Sequence, residues 1–284
     1  MTHTAGHAAS PAAAKFISGL TLFAATAALG LLAAPLYWRL VIVLTIMAAG
    51  YECARLLGRA GAVGVLLGMA LGVALLLMPH AGARLASARV QWYLTAVACA
   101  FALALRARHA EVPQRPKRNM HQTMAGAAGA LLSCGLLAAI ALRELPGGPW
   151  LVTLVVLAAW SGDMGAGVLT QRFVPTPTPI WVWASPRKNW EGVAFGALSS
   201  AAAVALAVLV FRMPVLTSTV TRLVVVACLC RPLGDLLESA IKRLADARDS
   251  SRFRLLPGHG GVFDRIDSLT LAFPVTYLVV PDVG

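Results

Sequence analysis

The chain has 284 residues, of which 58% are hydrophobic and only 13% charged, and its mean hydropathy is +0.75. Ordinary soluble domains carry about 25% charged residues, so these figures exclude a soluble globular protein. The formal charge of +12 does not point to a nucleic-acid partner, because an apolar chain of this kind uses Lys and Arg to orient itself in a bilayer.

Residues 1–14 form an Ala- and His-rich tail that is expected to be disordered. Hydropathy and breaker residues then predict an all-α, polytopic integral membrane bundle of about nine spans: 16–35, 37–54, 60–78, 91–105, 124–142, 149–170, 192–211, 215–239 and 268–281. The first outruns the apolar core of a cleaved signal, about 7–15 residues, and is read as a span. Arg55 and Arg59 follow the second span, and Arg106, Arg108, Arg115, Lys117 and Arg118 follow the fourth. Arg172, Arg187 and Lys188 follow the sixth, and the Lys242 to Arg265 cluster follows the eighth. Alternating spans put all four clusters on one side. That predicts a cytoplasmic N-terminus and charged loops lying beside anionic headgroups.

Residues 15–120 contain only two acids, Glu52 and Glu111, and read as transmembrane scaffold. Residues 121–284 read as the catalytic region, with long cytosolic loops at 171–190 and 244–265. Glu52 has a bland partner in Arg55, three residues on. Cys53, Cys99, Cys134, Cys228 and Cys230 all fall in apolar spans and read as packing residues. Trp38, Trp92, Trp150, Trp181, Trp183 and Trp190 fall near span ends, where an aromatic belt is expected. Asp163 lies deep in the sixth span and needs a partner: Arg231, a serine or a cation.

Polar residues gather in two patches. Ser185-Pro-Arg-Lys-Asn-Trp-Glu-Gly192 opens the seventh span. Ser185 or Asn189 suits an N-cap and Glu191 suits the helix dipole, whereas Arg187 and Lys188 are disfavoured there unless a phosphate is held. The second patch runs from Asp235 to Asp267. Asp235, Ser239 and Lys242 share one helix face, and Glu238 and Lys242 are an i,i+4 pair. The glycine-rich turn Pro257-Gly-His-Gly-Gly261 precedes Asp264 and Asp267. Such a turn opening a helix offers converging N–H groups to an anion, and carboxylates beside an anion suit Mg²⁺ bridging to phosphate. Asp264 or Asp267 equally suits an N-cap. His259 could donate to a phosphoryl oxygen.

These residues resemble the phosphatidate cytidylyltransferase (CDP-diacylglycerol synthase) family. The family signature S-x-x-K-R, then K-D, then P-G-H-G-G-x-x-D-R-x-D corresponds to Ser239–Arg243, Arg248-Asp249 and Pro257–Asp267. The upstream G-D-L-x-E-S stands at Gly234–Ser239, S-P-K-K-T-x-E-G at Ser185–Gly192 and D-x-x-A at Asp163–Ala166. Arg248 replaces the family's Lys, and Arg187 and Asn189 replace Lys and Thr.

The resemblance implies a membrane enzyme that makes CDP-diacylglycerol and pyrophosphate from CTP and phosphatidate. The expected location is the inner (plasma) membrane with the site facing the cytoplasm, and a homodimer is left open. Asp235, Asp264 and Asp267 are the expected ligands of Mg²⁺, with room for a second cation. Lys242, Arg243 and Arg265 are expected to act on the phosphates. Ser185, Lys188, Glu191, Ser239, Asp249, Gly258, His259, Gly260 and Gly261 are expected to bind substrate. A CTP-dependent enzyme acting on another lipid phosphate or polyprenol would use the same site. A transporter fits less well, because its polar residues would line a pathway through both halves.

Overall fold

A computed structural model describes residues 21, 24–77, 82–109, 115–213, 217–245 and 261–280. Its helices are α1 (Pro35–Leu77), α2 (Gly82–His109), α3 (Arg115–Ser133), α4 (Ala138–Glu144), α5 (Gly148–Phe173), α6 (Trp190–Phe211), α7 (Thr217–Leu244) and α8 (Phe263–Val279). A 3₁₀ turn, Cys134–Leu137, joins α3 to α4, and two short strands, β1 (Pro179–Trp181) and β2 (Ser185–Asn189), lie between α5 and α6. Residues 24–32 form a further helical stretch.

The first long helix is broken by glycine. Gly58 has φ 71° and ψ −161°, a conformation open to a residue without Cβ. The two halves of α1 fold back on each other there: a Cβ on Gly50 would lie 2.9 Å from Met69 Sδ. The expected spans 37–54 and 60–78 are therefore two limbs of one bent element. The second limb packs on α3 through small residues, so closely that a Cβ on Gly64 would stand 2.9 Å from Ala127 N. Lipid gives apolar helices no solvent-driven reason to associate, and small residues let backbones approach instead.

The expected single span 124–142 is interrupted. Where α3 tightens into the 3₁₀ turn, the Tyr93 hydroxyl lies 2.6 Å from Leu131 O and 2.8 Å from Leu132 O. It meets carbonyls that the changing helical ladder leaves available. Trp38 also departs from expectation. It is 2% exposed, and its Nε1–H donates to Ala139 O at 3.3 Å, so it belongs to the core and not to an aromatic belt. Trp92 and Trp190, at 67% and 60% exposed, fit the belt.

The protein is a polytopic membrane-helical bundle. Among the described residues four helices are long and apolar enough to cross a bilayer, Pro35–Leu75, Arg118–Glu144, Gly148–Phe173 and Trp190–Phe211, where nine spans were expected. The differences have physical reasons. Only 24–32 of the expected 16–35 forms a continuous described helix, two spans share α1, α7 carries many charges, and α8 has only 17 residues. The α-helical class holds apart from the small antiparallel ribbon of β1 and β2, which sits inside the expected 171–190 loop.

Candidate active site

α7 presents a charged stripe to the inside of the bundle. Arg231, Asp235, Glu238 and Lys242 are spaced four, three and four residues apart, which places them on one face. Arg231, Asp235 and Glu238 are buried, whereas Leu229 and Leu233 on the other side are 60% and 52% exposed. This inverts a soluble amphipathic helix and suits lipid outside with polar groups within. α8 crosses this face at Gly234, where a Cβ would lie 2.8 Å from Asp267 C and 2.9 Å from Ser268 Cα. The close approach brings Asp235 and Asp267, both buried, to the same helix crossing.

Every charge in the stripe has a partner. Arg231 Nη1 donates to Asp163 Oδ1 at 3.1 Å, linking α7 to α5 as anticipated for Asp163. Its guanidinium fills a slot between Gly162 and Gly196: Cβ atoms there would lie 3.0 Å from Arg231 Nε and 2.7 Å from Arg231 Cζ. Lys188 forms an ion pair with Asp235, and Lys242 sits between Glu238 and Asp264. Asp267 lies within electrostatic reach of Lys188, Asp264 and Lys242, and Asp163 within reach of Asp267 and Lys188. These eight side chains comprise five carboxylates and three cations, a formal charge of −2.

The ribbon and the start of α6 supply Lys188. Asn189 is the N-cap of α6, its side-chain oxygen accepting from Gly192 N at 2.6 Å, as its residue type suggested. Glu191 closes the base of the ribbon. Its carboxylate accepts the Thr178 N–H at 3.0 and 3.2 Å, so its observed contact is with the chain itself. Ser185 is half-buried and pairs across the ribbon with Trp181. Trp181 in turn stacks near Trp183, with ring centroids 5.3 Å apart.

At the start of α8 the turn amides already hold carboxylates. Asp264 Oδ2 accepts the Gly261 N–H at 3.1 Å, and Glu52 Oε2 accepts the Phe263 N–H at 2.9 Å. The N-cap position is Val262 and not Asp264 or Asp267, both of which lie within α8; Asp264, its second residue, instead reaches back to the turn and pairs with Lys242. Glu52 is a residue for which the sequence reading left the partner open, an arginine, a serine or a cation, with Arg55 the bland one. Its contact spans 211 residues, and only its position at the inner end of the second expected span hinted at it. Ser239 is half-buried, and Arg243 and Arg265 are exposed. Asp249, Gly258, His259 and Gly260 lie outside the described residues. Among the described residues no three His, Cys, Asp or Glu side chains converge closely enough to hold a metal ion.

Three comparisons bear on this arrangement. The chain is 38% identical over 132 residues to the phosphatidate cytidylyltransferase of Haemophilus influenzae, covering 45% of this chain and 44% of that protein. It is 36% identical over 151 residues to that of Pseudomonas aeruginosa, covering 48% and 49%. It is 44% identical over 130 residues to that of Brucella suis, covering 44% and 46%. The matched part thus spans about half the length of these curated relatives. No solved structure matches the chain. The model of the family described as the cytidylyltransferase family matches residues 14–281, nearly the whole sequence, and the chain belongs to that family.

Proposed function

We propose that this chain transfers CMP from CTP to phosphatidate, giving CDP-diacylglycerol and pyrophosphate. The observation that carries the reading is the paired charge network on α7 and α8, which concentrates carboxylates and lysines at one end of an apolar bundle. Family membership and the identity of the relatives support the same activity.

An oxygen of the phosphatidate phosphate attacks the α-phosphorus of CTP. The new P–O bond forms as the bond from the α-phosphorus to the bridging oxygen breaks, and that oxygen leaves with pyrophosphate. A phosphate monoester has its second pKa near about 6, so the nucleophile is already largely ionised and a strong base is unnecessary. The protein's task is to position and neutralise charge. Lys188 and Lys242, which rest on carboxylates, would supply positive charge to phosphate oxygens. Arg243 and Arg265, exposed at the same end, add positive charge for the incoming nucleotide.

The carboxylates of Asp235, Asp264 and Asp267 are the oxygen donors a hard divalent cation such as Mg²⁺ takes, and they lie on the facing α7 and α8. They do not converge on one point here, so holding the cation would require Asp235 and Asp264 to turn from their lysines. When bound, it would offset the charge on the phosphates and the leaving group. We place the N-terminus and this end of the bundle at the cytoplasmic face of the inner membrane, with the remaining expected spans outside the four clear ones.

The test is purified protein in detergent or vesicles, given CTP, phosphatidate and Mg²⁺. Formation of a CDP-lipid and pyrophosphate in equal amounts supports the reading. Their absence, under conditions where the Pseudomonas relative turns over, refutes it.

A further inference from the structure

We propose that Glu52, in the N-terminal half of the chain, is a positioning residue for the site. This inference rests on the transferase reading for its activity arm only. Glu52 is buried on the first limb of α1, ahead of the Gly58 break. Its Oε2 accepts the N–H of Phe263, the first residue of α8. That amide has no acceptor within its own helix, and a carboxylate at a helix N-terminus is favoured by the dipole. The local N-cap position holds Val262, which makes no side-chain cap, so the cap comes from another helix. The same oxygen lies 2.6 Å from where a Cβ on Gly261 would stand, so the Glu52 carboxylate is seated directly against the turn.

The next residue after Phe263 is Asp264, whose carboxylate meets Lys242. Fixing the Phe263 amide therefore fixes where the carboxylate of Asp264 stands. Glu52 shares its electrostatic surroundings with Glu238, Lys242 and Asp264 around Cys53. Its Oε1 has no hydrogen-bond partner among the described residues. A carboxylate buried at this depth is costly, and a serine, threonine or aspartate at position 262 would cap the helix more cheaply.

The experiment uses the full chain with two variants, Glu52→Ala and Glu52→Gln. Gln keeps an oxygen for the Phe263 N–H and removes the charge. Amide exchange at residues 261–265 is the first readout. Ala should speed exchange there at least about fivefold while α6 is unchanged, and Gln should restore most of the protection. CTP-dependent turnover is the second. Ala should lower kcat about 100-fold with KM for phosphatidate little changed, and Gln should stay within about threefold of wild type. Unchanged exchange in the Ala variant overturns the proposal. A Gln variant that protects the turn yet is as inactive as Ala also overturns it, and assigns the charge of Glu52 a direct role. A wild-type chain that makes no CDP-lipid defeats the transferase reading, and exchange still decides the role of Glu52.

Discussion

Lys188 on the ribbon and Asp235 inside α7 form an ion pair that ties a surface element to the buried stripe. The Asp235 side chain is 7% exposed and that of Lys188 is 36% exposed. The carboxylate is thus buried while its partner stays partly exposed.

Loss of Lys188 should therefore be felt twice. Breaking a buried pair costs about 3–5 kcal/mol, and the half-open lysine lowers this to about 1–3 kcal/mol. Lys188→Ala should lower the melting temperature in detergent and reduce turnover. Adding Asp235→Asn should recover stability, because no buried charge is left alone, and should not recover turnover. A double-mutant cycle on thermal stability that gives no coupling would contradict the pair.

Asp264→Asn separates fold from chemistry. The amide oxygen can still accept the Gly261 N–H, and the size is unchanged. Turnover should fall about 10²–10³-fold, with the melting temperature nearly unchanged. Equal turnover would remove Asp264 from the reaction.

The Arg231 slot makes a packing prediction with an internal control. A Cβ at Gly196 would stand 2.7 Å from Arg231 Cζ and 2.9 Å from Gly162 O, whereas a Cβ at Gly167 meets nothing within 4 Å. Gly196→Ala should destabilise by about 1–3 kcal/mol. Gly167→Ala, in the same bundle, should be neutral or gain up to about 1 kcal/mol from helix propensity. Thermal unfolding of the two variants side by side checks the order, and the reverse order would sink the slot.

Much of this site is legible in the sequence. The Asp163–Arg231 pair, the Asn189 cap and the shared face of Asp235 and Lys242 follow from burial cost, cap chemistry and helical spacing, all local or nearly so. What stayed hidden is long-range. Glu52 meets Phe263 across 211 residues, and nothing within one helix specifies that contact. The ribbon is built from a Pro-, Thr- and Trp-rich stretch with no alternating pattern. Trp38 looks like any span-end tryptophan until Ala139 O is found beside it. The break after Ser133 is set by Tyr93 and by close contact between Gly135 and the α8 backbone. Hydropathy also overcounts spans: it reads 215–239 as one, although α7 carries six charged residues and is not among the four helices apolar enough to cross a bilayer.

Removing divalent cations should stop turnover if the −2 network needs one. Chelation followed by Mg²⁺ should abolish and then restore product formation. Full activity in chelator would exclude the cation assignment to Asp235, Asp264 and Asp267.

The most direct measurement follows CTP labelled at the α-phosphate, incubated with phosphatidate, Mg²⁺ and the purified chain. The label should pass into a CDP-lipid, one for each pyrophosphate released, and should fail to do so in Asp264→Asn. Label that remains in CTP with the wild-type chain, or that moves only to another lipid phosphate, would contradict the assignment of phosphatidate as the acceptor.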